Sequence, residues 1–586
     1  MSSIPDAETL LAVDVGSINT RANLFDIVDG RYRLVASARA ASTAGPPLYD
    51  IREGVRQAFD QVHAITGRRM IDEAESLILP SAGYGSGVDV FVATTSAGPN
   101  VRTALAGLMP SVSLASARRL AASASLQVVC EISLSDRRRR EEQIDQILAA
   151  RPDLVLIVGG TDGGAASALM QVVDVVGLAM GLIPEPVRPR VVYAGNRHLG
   201  ASVVDRLGDR AHVTLAPNVR PDLEEEDAAP TRHRLAETLA DIRSAKIVGL
   251  QELRQWSGGH LLPTPDAFGR IIRYLSRIHD PDKGILGVDL GASRTTIAAA
   301  FEGELYLSVA SDLGLGAPLP SLLEHCALSK ITRWLPIEVR ESRLRDYMYN
   351  KSLRPGTVPA LLEELHIEYA LARQLIRSAL FDARVGWPAG KDSKSSLLMP
   401  PLEPVIAGGG VLARAPRPGY ATLALLDALQ PTGITTLILD PHSLTPSVGA
   451  AAGPLPMAAV HVLESGGLVR LATVVSPVGR GRIGQTVLQY RLEREAGKSE
   501  EGEVRYGQLM CLPLSSTEKG RLILRPEHGY DVGFGGPGKA GALREVTGGA
   551  VGLVIDARGR PLELPKDEAS RRELNQKWLW DLSAVE

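Results

Sequence analysis

Two short stretches of this chain place an aspartate, a glycine and a threonine in the same order at the end of an apolar run. LLAVDVGSINTRANLF begins at Leu10, and GILGVDLGASRTTIAAAF begins at Gly284. The matching positions are Asp14 and Asp289, Gly16 and Gly291, and Thr20 and Thr295. These residue types could hold a polyphosphate. An aspartate at a strand end projects its carboxylate into a cleft, where it holds Mg²⁺, usually through water. Gly16 and Gly291 let backbone amides approach phosphate oxygens with no Cβ in the way. The hydroxyls of Ser17, Thr20, Ser293 and Thr295 add donors. One such turn alone reads as a tight β-turn built from Asp and Gly. Two in the same register read as a pair of hairpins gripping a polyphosphate from opposite sides. Asp14 and Asp289 are the candidate metal ligands and catalytic carboxylates. No G-x-x-x-x-G-K-[ST] occurs, which excludes a P-loop.

Two further glycine-rich loops follow apolar runs. In PVIAGGGVLARA, Gly408, Gly409 and Gly410 stand between a strand and a helix-compatible segment, where a flat base or ribose can lie against bare backbone. In LVLIVGGTDGGAASALM the loop lies ahead of a helix whose amides could hold an anion. Its Asp162 either orients a water or a metal, as a third candidate catalytic carboxylate, or caps that helix. YAGN, at Tyr193–Asn196, reads as a plain loop.

Strand-like runs at 90–96, 126–132, 154–160 and 190–196 alternate with helical segments near 100–108, 141–150, 165–173 and 198–207. Continuous apolar strands alternating with helices predict a mostly parallel α/β sheet covered on both faces. A second strand–turn–strand begins at Gly284, followed by a long helical region to about residue 384 and two more strand units. After Pro454 short alternating runs separated by Gly and Pro predict a β-rich region closed by a helix over 568–582. The expected domains are 8–250, 284–455 and 456–586. Hydrophobic residues make up 45% and charged residues 22%, ordinary for a globular protein. A formal net charge of −3 gives no reason to expect a nucleic-acid or anionic-membrane partner. No apolar run is long enough to span a bilayer, and the N-terminus does not read as a signal peptide. Cys130, Cys326 and Cys511 are far apart and fit reduced thiols. The expectation is a cytoplasmic protein.

Phosphate hairpin, second phosphate hairpin and distal Gly triplet come in the order of the actin/sugar-kinase/heat-shock-chaperone superfamily, which the chain resembles. That implies an α/β, two-lobed, ribonuclease H-like core, here with an inserted α/β region and a C-terminal β-rich domain, and a cleft for ATP and Mg²⁺. More narrowly, VDVGSINTRANLFD, TTSAGPNVRTALAGLMPSVSLASARRLA, PDLVLIVGGTDGG, GVDLGASRTT, PVIAGGGVLARA and LDPHSLTPSVGA resemble the glutamate mutase accessory, or reactivating, family of the MutL type. This type is unrelated to the mismatch-repair protein of similar name. The resemblance covers roughly residues 8–455. It implies an ATP-binding chaperone, possessing at most slow ATPase activity, for an adenosylcobalamin-dependent mutase, with cobalamin carried only by that partner. Two positions depart from the family pattern: Ala292 stands for a glycine, and Thr296 takes the place of an acid. ATP binding survives both changes more easily than rapid hydrolysis does. A nucleotide-dependent scaffold, or a small-molecule kinase or hydantoinase-like enzyme with Asp162 as base, are the alternatives.

Overall fold

β1 (Leu10–Val15) has no polar alternation beyond Asp14 and is buried on both faces, as a central strand must be. The computed structural model describes residues 7–82, 85–388, 398–495, 497 and 499–585. β1 turns back into β2 (Asn19–Val28), which turns into β3 (Arg31–Ala41), all antiparallel. Asp50 accepts from the Arg52 amide to start α1 (Ile51–Thr66), and left-handed Gly67 ends it. β4 (Val90–Thr95) then pairs parallel to β1.

A separate sheet is inserted here. It contains β5 (Val101–Gly107), α2 (Ser113–Ser123), β6 (Leu126–Ser133), α3 (Arg140–Ala150), β7 (Leu154–Ile157), α4 (Ala166–Leu182), β8 (Arg190–Tyr193), α5 (Gly200–Leu207), β9 (Val213–Leu215) and α6 (Ala228–Ser244). All five strands are parallel, in the order β6-β5-β7-β8-β9. α2 and α6 cover one face, and α3, α4 and α5 cover the other. The helix expected near 100–108 is instead β5. Its alanines favour a helix, but the segment lies between β6 and β7 and is buried at six of seven positions. Tertiary burial overrides propensity there.

After α7 (Leu250–Trp256), β10 (Leu261–Pro263) pairs with β4 and completes the first lobe in the order β10-β4-β1-β2-β3. α8 (Thr264–Ile278) leads to the second lobe. β11 (Gly284–Leu290), β12 (Thr295–Phe301) and β13 (Glu304–Ala310) form a second antiparallel meander. Four helices follow: α9 (Leu322–His325), α10 (Ser329–Thr332), α11 (Glu341–Leu353) and α12 (Leu362–Ala383). β14 (Leu402–Gly408), α13 (Gly410–Ala413), α14 (Pro418–Leu429), β15 (Gly433–Leu439) and α15 (Leu444–Ala451) complete the lobe. The order β13-β12-β11-β14-β15 repeats that of the first lobe, with the same strand directions. Two copies of the ribonuclease H-like order make the two-lobed actin/sugar-kinase/heat-shock-chaperone architecture. The lobes meet where α8 packs on α15. A Cβ on Gly449 would stand 1.9 Å from the Ala267 carbonyl oxygen, so only glycine allows this approach.

The remaining chain holds α16 (Pro456–Glu464), β16 (Val469–Ser476), β17 (Thr486–Arg494), β18 (Ser499–Arg505), β19 (Leu509–Leu512), β20 (Lys519–Pro526), β21 (Gly541–Thr547), β22 (Gly552–Asp556) and α17 (Glu568–Asp581). It is β-rich, but not detached. β16 pairs with β15, so β16, β22 and β19 extend the second-lobe sheet to eight strands. β18, β17, β20 and β21 form a four-stranded antiparallel sheet of their own. The expected boundary at 455 therefore cuts through one continuous sheet system. Among the described residues no helix is long and apolar enough to cross a membrane.

Candidate functional site

The two meanders end in turns of the same geometry. The Gly16 amide donates to the Asn19 carbonyl at 2.9 Å, and the Gly291 amide to the Arg294 carbonyl at 2.9 Å. Val15 pairs with Thr20 and Leu290 with Thr295, so the strand registers match as well. The amides of Ser17 and Ile18 and of Ala292 and Ser293, at the two tips, have no protein partner among the described residues. Both turns line one cleft of about 480 Å³ between the lobes. Such paired, unpartnered amides suit an anion.

Asp14, Asp289, Gly16, Ser17, Gly291, Ser293 and Gly408–Gly410 all line this cleft. Thr20 and Thr295 do not. Each is fully buried, because strand alternation turns it away from the face that carries Asp14 and Asp289. The Thr295 hydroxyl donates to the Leu313 carbonyl at 2.6 Å, and Thr20 packs against Gly54. The cross-strand partners of the two aspartates, Arg21 and Thr296, reach the cleft instead. Thr296 therefore faces the site directly.

Asp162 lies outside the cleft, in the inserted sheet. Its carboxylate accepts from the Arg197 amide at 3.0 Å and from Asn218 Nδ2 at 2.9 Å, and pairs with Arg197 Nε at 3.2 Å. It ties together the loops that follow β7, β8 and β9. Asn196 does similar work, accepting from the Gly163 amide and donating to the Gly164 carbonyl.

Asp440, at the end of β15, lines the cleft beside Asp14 and Asp289. Its carboxylate accepts from the amides of Leu444 and Thr445 at 2.8 and 2.7 Å, fixing the start of α15. Asp14 Oδ1 accepts from the hydroxyls of Thr94 and Thr264, each at 2.7 Å. Burial pushes the Asp14 carboxyl above its ordinary value, against the pull of those hydroxyls and of Arg21. Burial, then the nearby Asp14 and Asp440, push Asp289 up to about 7. Three acids crowded in a buried cleft are poised for a cation. No three acids among the described residues close on a single point to grip a metal directly. With Asp440 and one oxygen of Asp14 already engaged, the set fits a hydrated Mg²⁺ held largely through water.

Positive charge lies around these acids. Arg21, Arg39, Arg294 and Arg414 line the cleft, and Arg21 donates to the Ser443 hydroxyl. On the far wall, Lys351 pairs with Glu368 at 2.7 Å and donates to the Thr357 carbonyl at 2.5 Å, while Tyr347 donates to Glu368 at 2.6 Å. This buried triad anchors the strap between α11 and α12, whose Gly356 sits against Ile18 of the first hairpin.

The triplet's second glycine is sterically obligatory. Gly409 has φ of 98°, and a Cβ there would stand 2.1 Å from the Leu290 carbonyl oxygen, next to Asp289. Gly409→Ala is expected to cost a few kcal/mol of stability and to abolish nucleotide binding, as read by thermal melting and calorimetry. Gly45→Ala, whose Cβ would meet nothing within 4 Å, serves as the neutral control. Equal behaviour of the two variants would contradict this geometry.

The profile of a family described as MutL protein matches residues 10–466. Protein MutL of Clostridium tetanomorphum is 23% identical over 493 residues, covering 78% of this chain and 98% of that protein. Looser likenesses exist among solved structures. Nucleotide-free diol dehydratase-reactivating factor aligns at 11% identity and a TM-score of 0.29, over 78% of this chain and 99% of its own. The activator of 2-hydroxyisocaproyl-CoA dehydratase from Clostridium difficile with bound ADPNP aligns at 11% identity and a TM-score of 0.27, over 78% and 96%. At these scores neither likeness bears on the chemistry of the cleft.

Proposed function

The chain belongs to the MutL family, and from that premise we propose that it is an ATP-binding reactivating chaperone for an adenosylcobalamin-dependent mutase. The observation that carries the nucleotide half is the pair of equivalent turns, one from each lobe, facing one cleft beside three acids and four arginines. The tip amides and arginines would hold the phosphates. Asp14, Asp289 and Asp440 would hold the shell of a hydrated Mg²⁺, which supplies charge neutralisation between phosphate oxygens. Gly408–Gly410 leave room for the sugar or base. A ligand touching both turns favours the closed arrangement of the lobes, and the tight α8–α15 crossing is the natural pivot. Such movement does work on a partner only if that partner binds one arrangement better. The mutase carries the cobalamin.

Thr296 favours a second reading, in which the chain is a nucleotide-dependent scaffold with little hydrolysis. A hydroxyl there cannot take a proton from an attacking water as a carboxylate can. Phosphate release separates the two readings. The kinase-like alternative loses its base, since Asp162 lies in the inserted sheet. The partner is tested by affinity capture of the tagged chain from native extract with and without Mg·ATP. The expected result is an adenosylcobalamin mutase subunit whose recovery changes with nucleotide. Its absence under both conditions argues against the chaperone role.

A further inference from the structure

A second cavity, of about 570 Å³, opens on the first lobe and shares no lining residue with the cleft between the lobes. Strand alternation puts it on the far side of that lobe. Leu10 and Ala12 of β1 pack toward α8, whereas Leu11 and Val13 pack toward α1, which forms one wall. The other walls are α7 and the loop at 71–76 between α1 and β4. The floor is apolar: Val55, Phe59 and Leu253 belong to the first-lobe core and still line the cavity. Trp256 is half-buried beside them, its ring held by the buried rings of Phe59 and Phe91 at centroid distances of 6.5 and 6.0 Å. The rim is charged, with Asp50, Glu53, Glu75 and Glu252 set against Arg52 and Arg56.

Both arginines are satisfied from within their own wall. Arg52 pairs with Asp50 at 2.6 Å, and Arg56 pairs with Glu53 at 2.9 Å and Asp60 at 3.4 Å. A longer pair, Arg52 to Glu252 at 3.7 Å, joins α1 to α7. Glu75 makes no ion pair among the described residues, and its charge reaches Arg52 and Arg56 from longer range. Its turn is nonetheless fixed, since Asp72 Oδ1 accepts from the amides of Ala74 and Ser76, each at 2.9 Å. An anion entering here would meet guanidinium groups that already have partners and a surplus of carboxylates. A cation would meet the weakly engaged Glu75 and Glu252 above an aromatic floor. Arginine and lysine suit both features, because their stems lie along apolar surface while the charge stays at the rim. A guanidinium also stacks on the face of a tryptophan.

We propose that this pocket docks a basic segment of a partner protein. A stem of that segment lies over Trp256 and Phe59, and its charge sits between Glu75 and Glu252. Four carboxylates against two guanidinium groups leave a surplus that two basic side chains neutralise. A small free cation would neutralise the rim but leave the apolar floor uncovered. The cavity's volume falls within the range of about 300–1,000 Å³ usual for binding pockets. Arg254 of α7 pairs with Asp241 of α6 at 3.8 Å, so the docked segment lies at the root of the inserted sheet. None of this depends on the nucleotide reading of the cleft.

The test is calorimetry of the full chain with the blocked peptide acetyl-Gly-Arg-Gly-Arg-Gly-amide, with its glutamate counterpart, and with spermidine. The arginine peptide is expected to bind with a Kd below about 1 mM at low salt and more weakly at about 0.15 M salt. The glutamate peptide is expected not to bind. Trp256→Leu is expected to weaken the arginine peptide about fivefold through loss of the cation–π contact. Glu75→Gln breaks no ion pair of the folded chain and is expected to weaken it about threefold, which keeps the test valid if Trp256→Leu fails to fold. No binding of the arginine peptide, or equal binding of the glutamate peptide, overturns the proposal. So does native affinity in Glu75→Gln together with native affinity in a folded Trp256→Leu. Spermidine binding as tightly as the arginine peptide would assign the pocket to a small free cation and overturn the docking of a protein segment.

Discussion

Asp289→Asn is expected to stabilise the ligand-free protein at pH 8 and to remove the stabilisation that Mg·ATP gives the native chain. Burial, then Asp14 and Asp440, push the Asp289 carboxyl up to about 7, whereas in the unfolded chain it titrates near 4. Between those values the folded state holds the proton more tightly. The resulting stability is complete below about pH 4 and is lost as pH rises through about 7. At roughly 1.4 kcal/mol per pH unit, the loss is on the order of 3–4 kcal/mol at its upper end. An Asn carries no proton to lose, so the variant's melting temperature stays flat where the native chain's falls. Mg·ATP acts in the opposite sense, since a cation favours the ionised carboxylate. The native melting shift on adding Mg·ATP therefore grows from pH 6 to pH 8, and the variant shows little at either. Scanning fluorimetry across this range, with and without Mg·ATP, reads all four conditions. A native melting temperature indifferent to pH removes the crowded-acid account, and a variant that keeps the full Mg·ATP shift removes Asp289 from the cation site.

The two aspartates were legible in the sequence because a strand-end Asp and a turn Gly are local features, repeated in one register. The threonines in the same motif show the limit of that reading. Thr20 and Thr295 match in spacing, yet each pairs across the hairpin with an apolar residue and points into the core. Counting strand pairs outward from the turn would have selected Arg21 and Thr296. Asp440 stands at the strand end of LDPHS, but only the repeat of the five-strand order brings that strand beside β14 and its aspartate to Asp14 and Asp289. Asp162 has the signature of a phosphate loop and spends its carboxylate holding neighbouring loops together. β5 was hidden for a different reason, since alanine-rich VRTALAG favours a helix until both faces are covered. Lobe order and the inserted parallel sheet followed from strand–helix alternation. The union of the last region with the second-lobe sheet depends on β15 pairing with β16, and no local signal announces that pairing.

That union makes Asp556→Asn the substitution with the largest expected cost in stability. Asp556 closes β22 with no exposure to solvent and accepts two bonds from the Arg558 guanidinium, at 2.8 and 2.9 Å, one from the Arg558 amide at 3.2 Å, and one from Arg560 at 2.6 Å. Arg558 also pairs with Asp427 of α14 at 2.8 Å, Asp427 pairs with Arg373 of α12 at 2.7 Å, and Arg558 lies over the Trp578 ring of α17 at 4.5 Å. A connected set of three arginines and two aspartates thus fastens the C-terminal strands to the helices behind the cleft. Removing one acid leaves Arg558 and Arg560 buried with too little counter-charge, which costs about 3–5 kcal/mol. Burial alone would raise the Asp556 carboxyl, but Arg558 and Arg560 outweigh it and hold the group below the ordinary carboxylate range. The stability it gives is therefore present above about pH 4 and lost as the pH falls below that. The difference between native and Asn chains in urea is expected to be full at pH 7 and to shrink in acid. Because β16 and β22 support β15, whose end carries Asp440, the variant is also expected to bind Mg·ATP more weakly than its folded fraction explains. Unchanged affinity at a matched folded fraction would instead show that the C-terminal strands stabilise the second lobe without shaping its cleft.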